Sequence, residues 1–181
     1  IRPKSTMLDS GAFSAYNSNK SIDIGKLIEE TKNKYWKEAV ALDVIGNSQK
    51  SLENALLMKA AGSKAFPVFH IGEPWEILAE YCKQFDKVGL SCRFGEPEKV
   101  SLAWLDNCFA RTWPHKFHSF GWIKEAMLMK YPFHSGDSSS WALAPGAFGT
   151  WGEFGKIKVR KHVDFRAQVD YYLRMERRVA S

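Results

Sequence analysis

Three aspartates stand at the ends of short apolar runs: Asp9 after Thr6-Met7-Leu8, Asp43 after Ala39-Val40-Ala41-Leu42, and Asp137 closing Phe133-His134-Ser135-Gly136-Asp137. A carboxylate at the C-terminal lip of a strand is where parallel sheets and barrels place their chemistry. Two carboxylates across a pocket suit cleavage of a glycosidic bond. One attacks or stabilises the sugar carbon as it becomes oxocarbenium-like, and the other manages protons on the leaving group. If the first forms a covalent glycosyl-enzyme, glycosyl transfer needs only an acceptor that outcompetes water. His70, Ser91, His118 and His134 fall at further strand ends and are expected to ring the same mouth.

Each of these residues also has a plainer reading. An Asp after a strand is commonly a turn former or helix cap. His70 and His118 can be satisfied by neighbouring backbone, and His134 reads as packing within the sheet. Phe13 reads equally as core or as a stacking platform. The hydroxyl run Ser138-Ser139-Ser140 either binds phosphate or caps, and both readings stay open.

The elements that would carry these residues alternate regularly. Strands are expected near 6–8, 38–43, 65–70, 87–91, 116–121 and 133–137. Amphipathic helices are expected over 22–35, from a cap at Ser48 or Ser51 to Gly62, from Pro74 to Phe85, from Pro97 to just before Pro114, and over 123–129. At roughly 25 residues per strand-plus-helix unit, this is the rhythm of a parallel sheet with helical crossovers. After Asp137 it breaks into a Pro/Gly loop, an edge strand over 155–160 and a basic closing helix over 163–179. Neither G-x-G-x-x-G nor a Walker A follows any strand, so dinucleotide and P-loop chemistry have little support. Polar groups at nearly every strand end point to a (β/α)8 barrel of the TIM type. Six units in 181 residues fall about two strands short of one, and the chain opens without Met and almost at once in a strand. The expectation is a single α/β barrel domain over 1–181, incomplete at its N-terminus, with an irregular basic C-terminal tail.

A net charge of +6 and a pI of about 9.2 are compatible with a polyanionic partner. The basic excess sits late, in Lys156, Lys158, Arg160, Lys161, His162, Arg166, Arg174, Arg177 and Arg178, and the basic closing helix is either a solvated face or a track for a nucleic-acid backbone. Cys82, Cys92 and Cys108 show no C-x-x-C spacing, which argues against a local zinc site or a disulfide framework and for a reducing, cytoplasmic compartment. No apolar run reaches the roughly 18 residues of a membrane span.

Leu8-Asp9-Ser10-Gly11-Ala12-Phe13-Ser14 resembles the D-S-G-G-[FY]-Q signature of the tRNA-guanine (queuine) transglycosylases. Asp137-Ser138-Ser139-Ser140-Trp141 is similar to the D-S-T-S-W of their shorter phage and bacterial DNA-modifying relatives, and Asp43 and Gly89 fall between the two in matching order. The resemblance implies a (β/α)8 barrel that exchanges guanine in a polynucleotide for a 7-deazaguanine base through a covalent intermediate, without a cofactor. It makes Asp137 the nucleophile on C1′ and Asp9 the general acid/base. Asp43 would bind the Watson–Crick edge of the base, Phe13 and His118 would cover its faces, and His70 would stand where the family commonly has Gln. Gly89 and Leu90 would offer backbone amides to its carbonyl. Ser10, Ser138 and Ser139 are placed for sugar or phosphate contacts. Ala12 and Ser14 depart from the signature, and the Cys-x-Cys-x-x-Cys…His zinc site of the tRNA enzymes is absent after Asp137. No metal is therefore expected and DNA is favoured over tRNA, in the host cytoplasm if the chain is phage-encoded. The alternatives are an N-glycoside hydrolase using the same carboxylates with water as acceptor, and a non-catalytic nucleic-acid-binding barrel.

Overall fold

The structure, a computed structural model, describes residues 6–92, 95–121, 125–137, 150–152, 155–157, 173–175 and 177. Its contacts divide the chain into two compact units, Ile1–His118 and Ser119–Ser181.

In the first unit the apolar runs become short strands and the 3.6-residue patterns become helices. They are β1 (Met7–Leu8), α1 (Ala12–Asn17), α2 (Ile24–Thr31), β2 (Glu38–Val40), α3 (Ser48–Ala60), β3 (Ala65–Phe66), β4 (Val68–His70), α4 (Trp75–Gln84), β5 (Lys87–Ser91), α5 (Glu98–Thr112) and β6 (Lys116–Phe120), within which the division falls. Strand β1 pairs in parallel with β2, β2 with β3, and β4 with β5, in registers such as Ala39 opposite Ala65 and Phe69 opposite Leu90. The expected strand over 65–70 is cut in two by Pro67, which lacks the N–H a continuous ladder needs. Its carbonyl still accepts Gly89 N at 2.8 Å, while the neighbouring Phe66 carbonyl accepts Ala41 N at 2.9 Å. Strand order from β1 to β6 therefore follows the chain without reversal, unlike a doubly wound sheet. The described residues show parallel α/β units; a closed eight-stranded barrel is not among what they form.

The strands are buried along most of their length, with Ala39, Val40, Phe69, Val88 and Phe117 almost inaccessible. Helices lay their apolar stripes over them: Leu52, Ala55 and Met58 of α3, Leu78 and Tyr81 of α4, Trp104, Leu105 and Phe109 of α5. Phe69 stacks on Trp104 at 5.8 Å and Phe117 meets Phe109 edge-on at 5.1 Å. Burying one such ring contributes roughly 2 to 3 kcal/mol.

Two helix starts differ in detail from the sequence expectation. The side chain of Asn47, rather than of Ser48 or Ser51, caps α3 by accepting Lys50 N at 3.0 Å, and Asp23 caps α2 on Lys26 N. Ser51 is buried instead.

In the second unit, α6 (Glu125–Lys130) is followed by β7 (Ser135–Asp137), shorter than expected, and by a hairpin of β8 (Thr150–Gly152) and β9 (Gly155–Ile157). The expected edge strand thus has an antiparallel partner in Thr150–Gly152, a segment that no expected element covered. Of the basic closing helix, residues 173–175 and 177 are helical, and the rest of 163–179 lies outside the described residues. No helix among the described residues is long and apolar enough to cross a membrane.

Candidate functional site

The first unit gathers polar side chains where β1, β2 and β4 end. Past β2 the chain enters Ala41-Leu42-Asp43-Val44, and α3 grips it on both sides of the aspartate. Asn54 Nδ2 donates to the Leu42 carbonyl at 3.1 Å, and Ser51 Oγ accepts Val44 N at 2.8 Å. Both side chains are buried, so these bonds are shielded from water and fix the backbone that carries Asp43. A buried Ser and Asn on the inner face of a helix are out of place in an amphipathic pattern. That mismatch is the one sequence signal for their role.

The Asp43 side chain is 10% exposed, and its two oxygens take different donors. Oδ2 lies 3.0 Å from His70 Nε2, and Oδ1 accepts the Ser10 hydroxyl at a long 3.5 Å. An acceptor-only carboxylate on Nε2 assigns the proton of neutral His70 to that nitrogen, leaving a lone pair on Nδ1. The imidazole is 28% exposed. Glu73, in the turn before α4, anchors the same residue from behind by accepting His70 N at 2.9 Å on Oε2. Burial pushes the Glu73 carboxyl above its ordinary value. The His70 N–H bond and ring pull it down, and the nearby Asp43 charge pushes it up. Beneath lies the fully buried Tyr81, whose hydroxyl has no hydrogen-bond partner; burial, with Glu73 and Asp43 nearby, raises its phenol far above the usual range. Glu73 and Tyr81 belong to this cluster although no motif marked them. Nothing in sequence distinguishes a helix-start Glu or a helix-stripe Tyr from ordinary packing.

Asp9 is exposed, and its Oδ1 accepts Gly11 N at 2.6 Å, the bond of an Asx turn. Gly11, at φ +74, opens α1 in a conformation that L side chains rarely adopt. The turn reading thus describes one oxygen of Asp9. Ser10 is buried, its hydroxyl also 3.4 Å from Ala12 N. Phe13 projects outward at 67% exposure. Gly89 and Leu90 lie buried inside β5, where Gly89 N is taken up by Pro67 O. His118 is buried with its ring tilted against Phe66 at 5.7 Å.

In the second unit Asp137 ends β7 and is exposed. Its carbonyl accepts Gly121 N at 3.0 Å, with Oδ1 3.4 Å from the same nitrogen. His134 is exposed rather than packed into a sheet. Ser138, Ser139, Ser140 and Trp141 lie outside the described residues.

Burial raises the thiol of Cys82 to about 11 and those of Cys92 and Cys108 upward as well, which keeps all three protonated and weakly nucleophilic. Among the described residues, no group of three or more His, Cys, Asp or Glu is arranged to hold a metal ion. Comparison with protein-family models, with the curated proteins and with solved structures finds no match.

Proposed function

We propose that the chain is a base-exchanging glycosyltransferase acting on nucleic acid, DNA in preference to tRNA, that replaces guanine with a 7-deazaguanine derivative. The observation that carries this reading is the convergence of Ser10, Asp43 and His70 from the ends of three different strands, with Ser10 inside one motif of the transglycosylase resemblance and Asp43 falling in matching order after it. Unreversed strand order supports a (β/α)8 design for the catalytic body. In this reading the Asp137 carboxylate displaces guanine from C1′, forming a glycosyl ester, and the incoming base displaces Asp137 in turn. Asp9 carries the proton between leaving and entering bases, and its free edge is open to them. Asp43, held as an acceptor by Ser10 and His70, meets N–H groups of the base, while Phe13 stacks on it. A target in a duplex would have to leave the stack, at a cost of a few kcal/mol. The three thiols fit a reducing, cytoplasmic setting.

A second reading draws on the Asp43–His70 pair. A carboxylate fixing Nε2–H leaves Nδ1 to accept a proton from water, as a hydrolase requires. Incubation with radiolabelled guanine and single-stranded DNA separates the two. Exchange puts label into polymer, whereas hydrolysis releases guanine and leaves abasic sites without label. Unlabelled, intact DNA would remove both readings and leave a non-catalytic binding protein.

A further inference from the structure

Phe13 and Tyr16 lie one turn apart on α1, and both are well exposed, at 67% and 62%. Their environments differ. Tyr16 lines a cleft of about 390 Å³ whose apolar wall includes Ala12, Ile22 and Ile45, and Phe13 does not line it. Lys20 lines the same cleft and is held there by backbone: Asn19 turns left-handed at φ +49, and Lys20 N returns to the Ala15 carbonyl at 2.9 Å. This is the closing bond of a helix end, and it fixes the backbone at Lys20, four residues beyond the aromatic. Asp43 also lines the cleft, so one residue is shared between this space and the Ser10–Asp43–His70 cluster.

An exposed ring beside an apolar wall, with a lysine at the same opening, is the pairing that holds a base by its π face and its phosphate by charge. A free base has no use for the cation, and an aliphatic ligand has none for the ring. The volume is that of a small-molecule site and does not admit a duplex. We infer that this cleft is a subsite for the nucleotide next to the reacting one in a single-stranded polynucleotide, its base stacked on Tyr16 and its phosphate drawn to Lys20. The inference rests on the reading of the adjacent cluster proposed above, and makes the substrate a polymer rather than a free nucleoside.

The test is equilibrium binding of the full chain to a fluorescent single-stranded oligodeoxynucleotide with one central guanine, beside guanosine as the short probe. Tyr16→Ala should weaken oligonucleotide binding about tenfold, and Tyr16→Phe should restore it, because the ring face and not the hydroxyl is used. Lys20→Gln should weaken it several-fold and lower the salt dependence by about one charge. Guanosine binding should change less than about twofold in each. Oligonucleotide binding by Tyr16→Ala and Lys20→Gln at wild-type strength overturns the subsite. Loss of binding with salt dependence unchanged in Lys20→Gln overturns the phosphate contact. If these variants lose the oligonucleotide while the wild type exchanges no label, the subsite stands and the exchange reading falls. If the wild type exchanges label and the variants bind normally, the subsite alone falls.

Discussion

The two ends of the parallel strands in the first unit handle buried polarity in opposite ways. At the N-terminal ends, Lys87 opens β5 and Glu38 opens β2, with Nζ 2.6 Å from Oε1. The lysine side chain is only 9% exposed and its ammonium lies 4.1 Å from the centre of the Phe66 ring. Opposite charges pair there. At the C-terminal ends, one carboxylate is approached by a hydroxyl and an imidazole, and the imidazole keeps a solvent-reaching face. The first arrangement spends its polarity on holding strands together, and the second leaves hydrogen-bonding capacity unspent. Reactive groups belong to the second, as the placement of sites at C-terminal strand ends leads one to expect.

Substitutions at the two ends should therefore separate stability from activity. The largest effect is expected for Asp43→Asn. It should reduce label exchange by about 10² to 10³-fold while changing the urea midpoint little, since an amide replaces the carboxylate at equal volume. Next is Glu38→Gln, which leaves Lys87 charged and buried. It should cost about 2 to 3 kcal/mol in urea unfolding, discounted for the partial exposure of Glu38, with exchange by the folded fraction unchanged. An Asp43→Asn protein that unfolds more readily than Glu38→Gln would erase the distinction between the ends.

Ser51→Ala removes the acceptor from Val44 N and should cost about 1 to 2 kcal/mol. It should also raise KM more than it lowers kcat, because the backbone carrying Asp43 loosens. Smallest is the effect of Glu73. Its folded carboxyl titrates above its unfolded one, so the folded state binds more protons between the two values, and stability falls as pH rises through that window. Thermal midpoints measured from pH 4 to 8 should show this slope flattened in Glu73→Gln, with the variant no less stable than wild type at the upper end.

The α/β rhythm was legible because each parallel strand is a short apolar run and each helix an amphipathic stripe. These are local signals that tertiary packing only reinforces. Pro67 was readable as a residue a strand tolerates, but not as the break that divides one strand into two. The edge strand over 155–160 was legible, but its partner β8 escaped because three residues ending in Gly are too short to show an alternating pattern. Within the site, Asp43 and His70 could be proposed from strand ends. Their direct bond could not, since it depends on register across β2 to β4. The gripping pair Ser51 and Asn54 showed only as polar residues out of place on an inner helix face, and the anchor Glu73 and the buried Tyr81 were invisible for a different reason. Their chemistry is created by burial, which a residue's type does not reveal.

The central claim is a covalent glycosyl intermediate on a carboxylate, and its most direct test is denaturing mass spectrometry of the protein after incubation with guanine-containing single-stranded DNA. The account predicts a DNA adduct that maps to the peptide containing Asp137, disappears in Asp137→Asn, and is discharged by added guanine. A wild-type protein that carries no adduct, or an adduct that persists in Asp137→Asn, would contradict it.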